Sequence, residues 1–259
     1  MGGRGKDRMI IAQISDTHIL AKSTDEAVGE RRSEDLRRCL ADINRQGADV
    51  VVHTGDSVHQ GLPEEYAHLR EILDGLDAPY FPIPGNRDHH GALRAAFGDL
   101  PYLPRGGDHF QYAVDDYPVR LVALDSVAAG ERKGVFCERR RAWLEETLAR
   151  EPERPTLLFI HHPPFDIGEH YVGGYRRAED AEALAAVVAR HSQVMGLLCG
   201  HVHCRHRASW GGTVAITVPS VAVDLRMEGD PGRGAAPSYL LHVAAGEGGL
   251  VSRTRLVTH

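Results

Sequence analysis

MIIAQISDTH, residues 9–18, is a short apolar run that ends in a carboxylate and an imidazole. Its first seven residues carry no helical period and read as a buried strand. Asp16 and His18 stand just past the carboxyl end of that strand. The arrangement recurs along the chain. DVVVHTG (49–55) runs into Asp56, and APYFPIPG (78–85) into Asn86. TLLFIHH (156–162) ends on His161 and His162, and VMGLLCG (194–200) leads into His201 and His203. VRLVALD (119–125) is a further run of the same kind. Between them, residues 33–46, 63–76, 91–98, 139–151 and 178–191 carry the 3.6-residue period of amphipathic helices. Ser33, ahead of Glu34 and Asp35, and Pro63, ahead of two glutamates, are expected helix starts.

Strands alternating with helices indicate βα construction, and open sheets of this type bind ligands beyond the carboxyl ends of their strands. After residue 200 the helical pattern stops, and HRASWGG, TVAITVPS, SYLLHVAA and LVSRTRLV read as strands joined by Gly-rich turns. No linker or repeat divides the chain. The expectation is one domain over residues 9–259, a disordered tail over 1–8, and a surface loop at Met227–Pro237.

Composition excludes several classes. Over 259 residues, 42% hydrophobic and 25% charged content is that of an ordinary globular domain, and the net charge of -6 offers nothing to a duplex nucleic acid. The one basic run, Arg139–Arg141, opens an amphipathic stretch and reads as a solvated helix face. No stretch nears the ~18 apolar residues of a membrane span. The polar start, the short apolar run after it and four scattered cysteines without a CxxC pair fit a cytoplasmic chain. GGRGK lacks the strand, spacing and Ser/Thr of a phosphate loop.

CGHVHCRH, at 199–206, could be a zinc knuckle, stray surface histidines or one corner of a larger site. An Asp after a strand is usually a cap or turn residue, and a His there is usually a satisfied polar group. Here five strand ends carry ligand types together, and glycine precedes Asp56, Asn86 and His201. Glycine allows a sharp turn that aims the next side chain into a crevice. Oxygen ligands mixed with imidazoles suit Mn²⁺, Fe²⁺, Zn²⁺ or Co²⁺ rather than Ca²⁺. The ligands are too many for one ion, so two are implied, bridged by a carboxylate and built for displacement at phosphorus. Asp56 is the natural bridge, because its strand lies between the others.

DTH (16–18), GD (55–56), GNRD (85–88), HHPP (161–164) and GHVH (200–203) resemble the calcineurin-like metallophosphoesterase signature D-x-H, G-D, G-N-H-D, H-x-P, G-H-x-H. EEYAHLREIL, GALRAAFGD, LDSVAAGERKG, HHPPFDIG and WGGTVAITVPS are similar to the bacterial branch containing class III cyclic-nucleotide phosphodiesterases and glycerophosphodiesterases. The resemblance implies an α/β fold, a four-layer αββα sandwich of two mixed β-sheets flanked by helices, with the β-rich tail contributing to the second sheet. It implies one metal held by Asp16, His18, Asp56 and His203, and another by Asp56, Asn86, His161 and His201. The metals would be Mn²⁺, Fe²⁺/Fe³⁺ or Zn²⁺, with Co²⁺ also compatible. Cys199, Cys204 and His206 are then bystanders. The implied activity is hydrolysis of a small-molecule phosphodiester, of cyclic-nucleotide or glycerophosphodiester type, by in-line attack of a metal-bridging hydroxide.

One departure stands out. Arg87 occupies the place of the signature's third-motif histidine, and arginine grips a phosphate oxygen but is a poor proton donor. His89 or His90 could compensate, or could cap the following helix; His162 is a further candidate beside the metals. His170, Tyr171 and Tyr175 could contact substrate or pack their loop, and Ala222–Pro237 is a second candidate specificity loop. A phosphomonoesterase or nuclease on the same fold, or a non-catalytic metal-binding scaffold, are the alternatives. No duplex nucleic acid or membrane is expected as a partner, and a homo-oligomer is left open.

Overall fold

The computed structural model describes residues 8–22, 24–169, 171–226, 236–245 and 249–258. The tail expected over residues 1–8 falls outside them except for Arg8, and His170 and most of the Met227–Pro237 loop also lie outside the described residues.

Two mixed sheets face one another. The first is built from β1 (Arg8–Ile14), β2 (Val50–His53), β3 (Tyr80–Pro82), β10 (Ser238–Ala245) and β11 (Gly249–Leu256), in the order β11-β10-β1-β2-β3. The second has β4 (Tyr112–Val114), β5 (Arg120–Ala123), β6 (Thr156–Ile160), β7 (Val194–Cys199), β8 (His206–Trp210) and β9 (Thr213–Thr217), in the order β4-β5-β6-β7-β9-β8. Within each, the strands that carry the site motifs run parallel: β1, β2 and β3 in one, β6 and β7 in the other.

The helices are α1 (Glu26–Gln46), α2 (Pro63–Leu73), α3 (His90–Ala96), α4 (Glu138–Ala149) and α5 (Ala178–Ala189). Side chains of a strand alternate between its faces, and the core obeys that period. Leu121, Ala123, Leu157 and Phe159 join the apolar cluster that holds Ile11 and Val51 of the first sheet. Their neighbours Val122, Leu124, Leu158 and Ile160 pack instead with Leu144 and Leu148 of α4 and Leu184 of α5. Leu36, Leu40 and Ile43 of α1 and Leu69 of α2 belong to the first cluster. The result is two sheets packed together, with helices against their outer faces.

Three expectations change. The β-rich tail divides: β8 and β9 complete the second sheet, but β10 returns to pair antiparallel with β1 and carries β11 with it. Helix α1 begins at Glu26, not Ser33; Asp25 caps it by accepting from Val28 N–H, and the Ser33 hydroxyl donates to Gly29 O at 2.7 Å from inside the helix. Strand β3 is only three residues long, because Pro82 and Pro84 cannot donate to a ladder. Among the described residues no helix is long and apolar enough to cross a membrane.

Candidate metal centre

The carboxyl ends of β1, β2, β3, β6 and β7 meet where the two sheets abut. The first two loops zip together beyond their strands: Asp16 N–H donates to Gly55 O (2.9 Å), His18 N–H to Asp56 O (3.1 Å) and Ile19 N–H to Ser57 O (3.1 Å). This zipper holds an unusual backbone. Among the described residues six non-glycines have positive φ, and five of them are Asp16 (51°), His18 (44°), Asp56 (51°), His201 (71°) and His203 (52°). Such conformations cost about 1–3 kcal/mol each and persist only where surrounding bonds over-determine them. They aim five side chains at one place.

Glycine is required for two different reasons. Gly55 has φ 94°, the turn the sequence anticipates. Gly85 does not; a Cβ there would lie 2.2 Å from Asp56 N and 2.3 Å from Asp56 Oδ1, so its role is to let Asp56 approach.

All seven residues singled out as ligands converge. Asp56 Oδ2 lies 3.7 Å from His18 Nε2, and its Oδ1 lies 3.6 Å from His161 Nε2, so its two oxygens face two different clusters. On one side His203 Nε2 stands 3.2 Å from Asp16 Oδ1 and 3.4 Å from His18 Nε2. On the other, His161 Nε2 stands 3.2 Å from both Asn86 Oδ1 and His201 Nδ1. Backbone carbonyls set two tautomers: His161 Nδ1–H donates to Thr54 O (2.8 Å), and His203 Nδ1–H to Leu225 O (2.7 Å). Both rings therefore turn an Nε2 lone pair inward. Asp16 Oδ1 is buried without a hydrogen-bond partner. Inward lone pairs and an orphaned carboxylate oxygen are what a divalent cation satisfies, and the donor set fits two of them.

Electrostatics agrees with that fit. Burial, outweighing the pull of Asp16, holds His18 well below the ordinary imidazole value, lowers His161, and brings His201 to about 3. These rings are neutral, as metal ligands must be. Burial also pushes the His162 ring well below the ordinary value. Burial and the nearby Asp16 charge push Asp56 up to about 8, outweighing His203 and Arg87, which favour its charged form. Burial opposes charge on His203, but the facing Asp16 carboxylate prevails and raises it to about 9, so at this ring a cation would take the place of the Nε2 proton.

The rim departs from the sequence reading. His162 lies within ligand reach of His161 and His201, yet Nδ1 accepts from the Ser126 hydroxyl (2.8 Å) and Nε2–H donates to Arg132 O (3.1 Å). With both nitrogens engaged, it forms a wall of the site. His89 caps α3, its Nδ1 accepting Ala92 N–H at 3.3 Å, and His90 Nε2 binds Asp125 at 2.9 Å. Tyr175 is 4% exposed and donates its hydroxyl to His162 O (3.1 Å), so it packs the loop. Tyr171 donates to Pro163 O (3.2 Å) and sets its ring edge-on to His201 at 5.5 Å. Arg87 is exposed; its backbone N–H donates to Asp56 Oδ1 (2.7 Å), and among the described residues its guanidinium has no ion pair. His206 stacks on Phe165, away from the ligands.

Sequence reasoning missed a brace. Arg32, in α1, grips both oxygens of Asp224 (2.8–3.3 Å) and donates to His18 O (3.1 Å). It stands in a polar run, GERRSED, that looks like solvated helix surface, and its partner is 192 positions away.

Residues 9–205 match the calcineurin-like phosphoesterase family. The chain is 34% identical to a probable glycerophosphodiester phosphodiesterase of Arcobacter nitrofigilis, over 96% of this chain and 93% of that one. It is 31% identical to the 3',5'-cyclic adenosine monophosphate phosphodiesterase of Escherichia coli K12, over 86% of this chain and 79% of that one. Among solved structures, a dimetal phosphatase from Danio rerio superposes with a TM-score of 0.66 at 16% identity, over 96% of this chain and 99% of that chain, a likeness of fold.

Proposed function

This chain belongs to the calcineurin-like phosphoesterase family, and from that premise we propose that it hydrolyses small-molecule phosphodiesters using two divalent cations. The observation that carries the reading is Asp56, one carboxylate whose two oxygens face two separate clusters. Asp16, His18, Asp56 and His203 would hold one cation, and Asp56, Asn86, His161 and His201 the other. When bound, such a pair supplies Lewis acidity and a water of lowered pKa. Mixed oxygen and imidazole donors fit Mn²⁺, Fe²⁺ or Zn²⁺.

The chain's own residues prepare the site. Thr54 O and Leu225 O fix the tautomers of His161 and His203. Asp88 accepts from Gly85 N–H (2.8 Å) and Ser57 N–H (3.1 Å), locking the Asn86 loop to the Asp56 loop. The permanently charged Arg87 guanidinium, at the mouth, holds a phosphate oxygen without giving up a proton. Similarity to a probable glycerophosphodiester phosphodiesterase and to a 3',5'-cyclic adenosine monophosphate phosphodiesterase supports a diester as substrate.

The test is a panel of aryl, alkyl and cyclic phosphodiesters and matching monoesters, assayed on chelator-stripped protein with Mn²⁺, Zn²⁺ or Fe²⁺ restored. Diesterase activity should return with metal, at a content approaching two ions per chain. Full activity in stripped protein would overturn the two-cation reading, and a preference for monoesters would overturn the diester.

A further inference from the structure

With Arg87 in place of the usual histidine, His162 bonded at both nitrogens and His90 Nε2 on Asp125, the positions the sequence nominates leave only His89, turned through Nδ1 to the cap of α3, as an imidazole donor near the centre. Another histidine lies against it. His59, half-buried in the loop between β2 and α2, sets its ring edge-on to His18 with centroids 5.7 Å apart. Its backbone N–H donates to Ile19 O (3.0 Å), which registers this loop with the His18 loop. Two residues on, Gly61 abuts the other side of the mouth: a Cβ there would lie 3.0 Å from Arg87 O. His59 thus stands between the loop of a proposed ligand and the loop of Arg87.

Its ring orientation is also fixed. Arg32 Nη1 approaches His59 Nδ1 to 3.5 Å, and a guanidinium can only donate, so Nδ1 accepts and Nε2 carries the hydrogen. No hydrogen bond engages that Nε2–H among the described residues. Arg32 is itself anchored on Asp224 and on His18 O, so one buried side chain ties the His59 ring to the His18 backbone.

The geometry points to His59 as a neutral hydrogen-bond donor that, together with Arg87, binds a phosphoryl oxygen of the substrate. The inference rests on the phosphodiesterase reading. Because the ring donates a hydrogen bond rather than a proton, its contribution should be the same for every leaving group. Deleting a donor aimed at a charged transition-state oxygen typically costs ~10²–10³-fold in rate.

The experiment compares wild type, His59→Ala and His59→Gln in the metal-loaded enzyme on an aryl and an alkyl phosphodiester, with metal content and inhibition by inorganic phosphate measured beside activity. In His59→Ala, kcat/KM should fall about 10²-fold on both esters, and phosphate should inhibit about tenfold more weakly, with two metals retained. His59→Gln, which keeps a side-chain N–H, should recover most of both losses. Unchanged kcat/KM in His59→Ala overturns the inference and leaves the phosphodiesterase reading intact. So does a loss confined to the alkyl ester, which would make His59 a proton donor, or a loss that follows metal content, which would make it a prop for His18. A wild type without metal-dependent diesterase activity overturns both.

Discussion

On the floor of the crevice, His161 and His203 each give one nitrogen to a backbone carbonyl and turn the other inward. On its rim, His162 gives up both nitrogens and Tyr175 its hydroxyl to packing, while Arg87 and His59 keep donors uncommitted. The two regions draw on the same residue types. What separates them is where the second hydrogen-bonding group of each side chain goes. A group held at one end and open at the other is built to meet something; a group held at both ends is structure.

The sharpest way to break this contrast is Asp56→Ala, which removes the carboxylate both clusters share. Activity should fall by more than ~10³-fold, since each cation supplies several kcal/mol of transition-state stabilisation. Elemental analysis should show both positions weakened, whereas Asp16→Ala should deplete mainly one. Retention of both metals in Asp56→Ala would show that the floor is two independent sites.

Arg32→Met tests whether the floor depends on its brace. It strips the partner from Asp224 and frees His18 O while filling similar space. The affinity for the cation on the His18 side should fall about 10–100-fold, the usual effect of losing a group that orients a ligand. The His161 side should hold its affinity. A stepwise metal titration separates the two, and equal weakening would mean that Arg32 supports the whole crevice.

These two variants also mark what was legible beforehand. The floor could be read because each ligand follows its strand by one or a few residues, so local sequence already places it. Asp16, Asp56, Asn86 and His201 needed no knowledge of distant partners. The brace could not be read, because nothing in GERRSED distinguishes the inward Arg32 from its neighbours until Asp224 arrives 192 positions later. The rim fails for a similar reason: whether Tyr175 meets substrate or His162 O depends on how two loops fold over each other. The tail shows the limit at the level of fold. Alternation along SYLLHVAA marks a strand, but only the pairing of Met9 with Ala244 assigns it to the first sheet.

Acid stability should extend the contrast to buried histidines outside the centre. Burial brings His53 and His242 to about 3, below the ordinary unfolded value of about 6.5. Between those values the unfolded chain takes up protons that the folded chain refuses, so stability is complete above pH ~6.5 and falls as pH drops. Each ring adds up to about 1.4 kcal/mol per pH unit to that slope. His242 accepts from the Ser252 hydroxyl (2.6 Å) and donates to Gln13 Oε1 (3.1 Å), roles a carboxamide can fill. Urea unfolding of wild type and His242→Gln between pH 6.5 and 4.5 should therefore show a shallower slope in the variant, by about one proton. Parallel slopes would mean that His242 titrates alike in both states.

The smallest expected effect is Tyr175→Phe, and it tests the rim from the side opposite to His59. The phenol is buried with Leu184, Val187 and Phe136, and among the described residues its hydroxyl reaches only His162 O. Removing the oxygen leaves the ring's packing intact and one carbonyl short of a donor, a loss of about 1 kcal/mol in stability. The His162 ring keeps its bonds to Ser126 and Arg132, so the wall it forms beside His161 and His201 should stay in place. Both kcat and KM should remain within about twofold of wild type, because no transition-state contact is lost. A rise in KM well beyond that, with stability unchanged, would put the hydroxyl in contact with substrate and return Tyr175 to the specificity loop.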